Sequence, residues 1–361
     1  MKPLVLKGHS MPITVLEFNR DNDLLFSASK DRFITLWSSE YGERIGTYGH
    51  SAAVYAMDVD DYSKYVISSD STGFVYIWDA SNGESIHKFS IDKMPLINSV
   101  NFNYNNELIS VGYGGRAAKS DSHIDIYKFA DLLTKQKDVK PIKSILIPNN
   151  DKITKTRWFD LGKSILATSE KGNIYKYDYE SERLLLQKQV HDKMIMDIDV
   201  SPKEELIITS SKDGKAKILN PDTFDVMTEL FPQNPVRNIN ACRFSPLISS
   251  EDEKIVKYHA FIAGGQESRE VTTTASKKGG FETLIYDCMY GEELGAILGH
   301  FGPVNALAVS SDRELLASGS EESSIRVHRI NNDEYNNLER KYFYYFNNNY
   351  KIKIKLKIFR I

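Results

Sequence analysis

Four of the eight histidines recur along the chain in similar surroundings, and a histidine beside a carboxylate and a hydroxyl could act as a general base. They are His9, His50, His191 and His300. Positions 9 and 50 are 41 residues apart, and both histidines follow a glycine. A catalytic base needs a unique partner, whereas a side chain that repeats at a fixed interval indicates a structural unit. We therefore predict a structural role for these histidines.

Other motifs that could carry chemistry are incomplete. Residues 111–120 resemble a phosphate-binding loop, but Tyr113 and Ala118 stand where glycines are required and no helical pattern follows. The histidines and the two cysteines have no zinc-ligand spacing, and no nucleophile-elbow motif occurs. The sequence predicts a protein without metal, cofactor or catalytic activity.

The repeated unit that must position these residues is about forty residues long. Trp37 and Trp78 are also 41 residues apart, and the spacing of Gly-His and Trp-Asp is typical of a four-stranded propeller blade. The residues that end the third strand of each unit are spaced by 41, 49, 50, 42, 67 and 42 residues; they are Trp37, Trp78, Tyr127, Tyr177, Leu219, Tyr286 and His328. Seven such residues predict seven blades, with an insertion in the sixth.

These features predict an all-β fold, a seven-bladed WD-repeat β-propeller over residues 1–330. The strand-like segment 2–6 has no partner within its own blade, so we expect it to close the ring by pairing with the last blade. Within blades, a hydrogen-bonded set is expected, and its predicted structural residues are His9, Asp31, Trp37, His50, Trp78 and His300. Where Leu219 and His328 replace tryptophan, loss of the indole donor predicts that the rest of the set is lost.

The composition is that of an ordinary globular protein. Of 361 residues, 41% are hydrophobic, and a net charge of −3 argues against binding nucleic acid through positive charge alone. No apolar run reaches the roughly 18 residues of a membrane span, and the N-terminus has no secretory-signal pattern. With only Cys242 and Cys288, a disulfide framework is excluded, and we expect a reduced, cytoplasmic protein.

Two segments depart from the repeat. The insertion at 264–280 is rich in hydroxyls and in charges of both signs, and it is either a solvated loop or a docking surface. The tail at 331–361 contains seven Asn, seven basic and three acidic residues, a net charge of +4. Its Lys/Ile alternation would suit an edge strand or a segment on an anionic surface, and its composition favours a disordered appendage.

The chain resembles WD-repeat proteins over residues 1–330 and, more narrowly, the family of the i subunit of eukaryotic translation initiation factor three. The narrower resemblance is carried by Gly-Gly-Gln-Glu at 264–267, Val-Thr-Thr-Thr at 271–274 and Gly-His-Phe-Gly-Pro-Val-Asn at 299–305. The basic tail has no counterpart in the family, so the resemblance is not extended past about residue 331.

The resemblance implies a non-catalytic scaffold that binds the b and g subunits of the initiation factor. The assembled factor then joins the 43S pre-initiation complex and supports recruitment of initiator tRNA and mRNA and scanning, without sequence-specific nucleic acid binding by this chain. The family's fifth and sixth blades receive the b subunit, so the residues predicted to contact partners are Asp213, Gln266, Arg269, Thr272 and Thr273. Asp213 also occupies the position of a structural turn aspartate.

Two other functions remain open from the residues. One is a WD-repeat adaptor in another cytosolic complex, such as receptor-kinase signalling. The other is a hydrolase that uses the central channel, which would require titratable residues clustered there.

Overall fold

The strands form where β-branched and aromatic residues alternate with polar ones between turn-forming residues. The computed structural model describes residues 3–91, 95–116, 121–134, 139–232, 238–245, 258–265, 280–312 and 314–330. Within these ranges the regular structure is almost entirely β-strand; the exceptions are one short α-helix, Phe129–Leu133, and one 3-10 turn, Pro148–Asn150.

In the described part of the chain, twenty-eight strands form seven antiparallel sheets of four strands each. The first strand, β1 (Leu4–Lys7), is followed by blade 1, which contains β2 (Ile13–Phe18), β3 (Leu24–Ser29), β4 (Phe33–Ser38) and β5 (Arg44–Gly49). Blade 2 contains β6 (Val54–Val59), β7 (Tyr65–Asp70), β8 (Phe74–Asp79) and β9 (Ser85–Ser90). Blade 3 contains β10 (Leu96–Phe102), β11 (Leu108–Gly114), β12 (Ser122–Lys128) and β13 (Lys143–Leu146).

The second half of the chain repeats this order. Blade 4 contains β14 (Ile153–Phe159), β15 (Ser164–Ser169), β16 (Asn173–Asp178) and β17 (Leu184–Gln189). Blade 5 contains β18 (Ile195–Val200), β19 (Ile207–Ser211), β20 (Ala216–Leu219) and β21 (Val226–Leu230). Blade 6 contains β22 (Asn238–Phe244), β23 (His259–Gly265), β24 (Thr283–Asp287) and β25 (Glu293–Ile297). Blade 7 contains β26 (Val304–Val309), β27 (Leu315–Ser320) and β28 (Ser324–Arg329).

The N-terminal strand completes blade 7 as its fourth, outermost strand. Its register aligns Leu4 with Val327 and Leu6 with Ile325. Leu6 is buried there among side chains of blades 7 and 1. The prediction of a propeller closed by the N-terminal strand is therefore confirmed, and every predicted third-strand residue lies in the third strand of its blade.

The apolar core is divided among the seams between neighbouring blades. Seven clusters of buried side chains occupy the seven seams, and the cluster that contains Leu16 and Ala317 joins blade 1 to blade 7. The first strand of each blade contacts the first strands of both neighbours, so these seven strands surround the central channel. Hydrophobic burial thus holds the ring together at every seam.

In blades 1, 2, 3, 5 and 7, one polar residue shapes the turn between the first and second strands. Its side chain accepts the backbone N–H of the residue that begins the second strand or immediately precedes it, at 2.6–3.0 Å; the residues are Asn19, Asp60, Asn103, Ser201 and Ser310. Because strands alternate in direction, the first–second and third–fourth turns share one face, here called the lower face. The second–third turns and the blade connections form the upper face.

Candidate functional site

In blade 1, Ser27, His9 and Asp31 are connected as in a serine-hydrolase triad. The His9 Nδ1 lies 2.8 Å from Asp31 Oδ2, and Nε2 lies 2.8 Å from Ser27 Oγ. The carboxylate can only accept, so Nδ1 donates and a neutral ring accepts the serine proton at Nε2. The Trp37 Nε1–H donates to the same serine oxygen at 2.8 Å.

This arrangement is structural because its hydroxyl has no access to a substrate. The Ser27 side chain is fully buried, and its oxygen is already bonded to the indole and the imidazole. Burial of Asp31 opposes its ionisation, but hydrogen bonds from His9, from the Ser10 N–H and from the Phe33 N–H outweigh burial and lower the pKa of the carboxyl.

The same set persists in two blades that lack the tryptophan. In blade 5, His191 bonds Asp213 at 2.7 Å and Thr209 at 2.9 Å. In blade 7, His300 bonds Ser318 at 2.8 Å and a glutamate at 2.8 Å, Glu322, which takes the aspartate's place. The expectation that loss of the indole would abolish the set was wrong, because the histidine alone satisfies both the buried hydroxyl and the turn carboxylate.

In blades 2 and 4 the carboxylate comes from a different position. His50 and Trp78 both bond Ser68 at 2.8 Å, but the acid is Asp70 at the end of β7, which accepts from the Tyr76 hydroxyl at 3.0 Å. Burial lowers the pKa of His50 to about 4. In blade 4, Asp151 accepts from the Tyr175 hydroxyl at 2.8 Å. A tyrosine hydroxyl therefore replaces the imidazole as the donor to the buried acid.

Sequence reasoning missed a ring of residues near the lower ends of the first strands, which surround the channel. Each member is the penultimate residue of a first strand; in blade order they are Glu17, Asp58, Asn101, Trp158, Asp199, Arg243 and Ala308. Aligning the first strands by their last residue would have revealed the ring, whereas alignment on the third strands did not.

The charged members of this ring join neighbouring blades. Asp58 of blade 2 accepts from the Phe102 N–H of blade 3 at 2.7 Å, and Asp199 of blade 5 accepts from the Phe244 N–H of blade 6 at 2.9 Å. Arg243 donates to Asp197 at 2.5 Å across the same seam. The channel does contain titratable residues, as the hydrolase alternative required. Their contacts join neighbouring blades, however, so they are those of a structural ring.

Burial and neighbouring charges shift the pKa values of the ionisable groups around the channel. Burial and the neighbouring Glu17 raise the pKa of Asp58 to about 7, and burial also raises the pKa of Glu17. Burial lowers the pKa of Lys155, which faces the same acids. The described residues include no group of three or more His, Cys, Asp or Glu that could hold a metal ion.

Of the residues predicted to contact partners, Asp213 is described and the others are not. Its carboxylate bonds His191 and accepts from the Lys215 N–H at 2.9 Å, and only 8% of the side chain is exposed. Burial opposes ionisation, but these bonds lower its pKa. Gln266, Arg269, Thr272 and Thr273 lie outside the described residues, in the sequence between β23 and β24. The corresponding connection of blade 5 carries Asp213.

Exposed apolar side chains lie on the outer rim where blade 5 meets blade 6. Met227 is 59% exposed on β21, and Met289 and Tyr290 are 58% and 62% exposed in the third–fourth turn of blade 6. The two elements touch, because the Thr228 hydroxyl lies 3.5 Å from the Met289 carbonyl. We call Val226, Met227, Met289 and Tyr290 the rim patch; its position is typical of a protein-binding surface.

Seven closed blades, three of them with a histidine–hydroxyl–acid set, define a WD-repeat propeller. The EIF3I family model matches residues 1–341, so the chain belongs to that family. It is 31% identical over 337 residues to eukaryotic translation initiation factor 3 subunit I of Schizosaccharomyces pombe, covering 91% of this chain and 96% of that protein. The protein of the same name from Nematostella vectensis is 33% identical, with coverages of 95% and 100%.

The human protein of the same name is 31% identical over 330 residues, 91% of this chain and 96% of that protein. Recognition of the family from its sequence motifs is thus confirmed. The family is that of an initiation factor subunit and not of an enzyme, which also confirms the prediction of a non-enzyme. Within the described residues, no helix has the length and apolar character needed to cross a membrane.

Proposed function

We propose that this chain is a cytoplasmic, non-catalytic scaffold subunit of translation initiation factor 3. Its membership of the EIF3I family over residues 1–341 carries the proposal. It binds the b and g subunits, and through the assembled factor it supports recruitment of initiator tRNA and mRNA to the small ribosomal subunit and scanning. The family match favours this role over that of an adaptor in receptor-kinase signalling.

The rim patch supports a docking site for the b subunit on blades 5 and 6. An interface needs an apolar centre within a polar rim, and a few anchors supply most of its energy. The patch offers methionine and tyrosine side chains for the apolar centre. The charged residues Lys215, Lys217 and Glu229 lie on blade 5, as Met227 does. Asp213, Gln266, Arg269, Thr272 and Thr273 stay proposed partner contacts.

Met227→Asp tests the docking site because it places a charge within the proposed apolar contact. We expect binding of the b subunit's C-terminal segment in a pull-down to fall at least tenfold, about 1.4 kcal/mol. Leu185→Asp is the matched control, since Leu185 occupies the equivalent position on the fourth strand of blade 4 and is 54% exposed. Equal binding by the two folded variants would exclude the rim patch.

Co-sedimentation with small ribosomal subunits in a cell extract tests the assembled factor. The wild-type chain should travel with these particles together with the other subunits, and Met227→Asp should reduce its share. A chain that never co-sediments with them would contradict the initiation-factor role and leave the signalling adaptor as the better function.

A further inference from the structure

The turns around the lower mouth of the channel form a second, separate exposed surface. These are the first–second turns 19–23, 60–64, 103–107, 160–163, 201–206 and 310–314, which we call the collar. Adjacent turns bond one another: Asn22 donates to Ser311 at 2.8 Å, and the Leu161 N–H donates to Glu204 at 3.3 Å. Together with bonds from Asn19 to Ser63 and from Asp61 to Asn106, these contacts join the turns of blades 7, 1, 2 and 3 and those of blades 4 and 5.

Large apolar side chains project from the collar in three consecutive blades. Tyr62 of blade 2 is 72% exposed, Tyr104 of blade 3 is 68% exposed, and Leu161 of blade 4 is 65% exposed. Turns of this kind need only polar, turn-forming residues. Turn formation therefore does not account for three neighbouring side chains of this size, and aromatic residues in such a position are typical of binding surfaces.

The collar is also acidic. The sequence of its turns contains ten acidic and five basic residues. Acidic side chains around exposed tyrosines favour a ligand that is both basic and aromatic, because its cations pair with carboxylates or lie over tyrosine rings.

The chain's own C-terminal segment has that chemistry and begins at the collar. Strand β28 runs toward the lower face, and the Ile330 N–H donates to the carbonyl of Glu314 in the collar at 2.7 Å. Residues 331–361 carry a net charge of +4, with five consecutive aromatic residues at 342–346 and alternating lysines from Lys351 to Lys357.

The length of this segment allows it to reach every blade. Thirty-one residues span at most about 100 Å when extended, whereas a domain of this size has a radius of gyration of about 20 Å. We propose that residues 340–361 bind in cis across the collar, with their aromatic residues against Tyr62 and Tyr104 and their lysines against collar carboxylates.

Zero-length carbodiimide cross-linking of the full chain, read by mass spectrometry, tests this contact. Amide bonds from the tail lysines should concentrate on collar carboxylates such as Asp21, Asp61 and Asp312. In 1 M salt, where the Debye length falls to about 3 Å, their yield should drop at least threefold. The double variant Tyr62→Ser/Tyr104→Ser should produce a similar drop.

Phe301→Ser is the matched control, because Phe301 is 84% exposed on the upper face. It should leave the cross-links unchanged. Cross-links spread evenly over both faces, or yields that ignore both salt and the double variant, would overturn the proposal. Cross-linking a mixture of isotopically light and heavy chains distinguishes cross-links between two molecules from those within one. A predominance of cross-links between molecules would overturn binding in cis and indicate that the tail contacts a second copy of the chain.

Discussion

A buried hydroxyl that donates to the imidazole explains why the histidines of this chain recur without catalysing anything. In blades 1, 5 and 7 the histidine joins a second-strand hydroxyl to a carboxylate in the following turn. Each set ties three backbone segments of one blade together. A buried polar group left without a partner costs about 1–3 kcal/mol, so loss of one member weakens the whole set.

At the residue scale, His328→Leu tests how burial of neutral histidines affects stability. Burial and the nearby His300 and Arg326 lower the pKa of His328 to about 4, whereas an unfolded histidine titrates near 6.5. Between these values the unfolded chain binds more protons, so stability falls as pH decreases from about 6.5 to 4.

We expect His328→Leu to remove roughly 2–3 kcal/mol of the stability loss between pH 7.5 and 4.5, as measured by urea unfolding at both values. Leucine is a suitable replacement because Leu219 occupies the same position in blade 5. An unchanged pH dependence would show that the pKa of His328 is the same in the folded and unfolded chains. The pKa values of Asp31 and Asp213 are lowered in the folded chain, so these two residues affect stability in a separate pH range, below about pH 4.

The sequence predicted which residues belong to the blade 1 set, because the spacing of His9, Asp31 and Trp37 matches the repeat. It did not predict Asp70 or Asp151 as the acids of blades 2 and 4. Their carboxylates accept from Tyr76 and Tyr175, and that contact depends on how strands pair, which spacing along the chain does not specify.

At the element scale, the second–third turn of blade 4 is closed by Gly172, which has a φ of +81°. A Cβ added there would lie 2.1 Å from the carbonyl oxygen of His191 in the blade connection. The Gly172 carbonyl accepts the N–H groups of Val190 and His191, so the turn and the connection are held in close contact.

We expect Gly172→Ala to destabilise the protein by about 2–4 kcal/mol, because the methyl group has no room and the backbone lies in the left-handed region. Gly46→Ala is the control, since nothing lies within 4 Å of its added Cβ, and its effect should stay within about 0.5 kcal/mol. Chemical denaturation measures both. Similar stabilities for the two variants would contradict the close contact.

Most strands could be predicted because period-two alternation and third-strand aromatic residues are local signals. The channel ring was missed because the repeats were aligned on their third strands, and because alternation tells which residues share a face of a strand and not how seven strands meet around an axis. The rim patch and the collar depend likewise on residues that are distant in sequence, such as Thr228 and Met289.

At the scale of the whole molecule, each seam depends on both neighbouring blades, and the seam between blades 7 and 1 also depends on β1. Deleting residues 1–7 removes buried Leu6 and exposes the edge of β28. We expect the midpoint of thermal unfolding to fall by on the order of 5–10 °C.

Deleting residues 1–3 is the control, because β1 starts at Leu4 and keeps all four of its pairs. Differential scanning calorimetry of both truncated chains makes the comparison. Equal melting temperatures would mean that the pairing between β1 and β28 adds nothing to the closed ring.

The pairing of β1 with β28 also determines when this protein can finish folding during its synthesis. The two partners are separated by nearly the entire propeller, so the first strand emerges from the ribosome long before its partner exists. At about 5–20 residues per second, translation takes on the order of 20–70 s. Throughout that interval Leu6 has no blade 7 to cover it, and the nascent chain exposes two open edges that molecular chaperones would recognise.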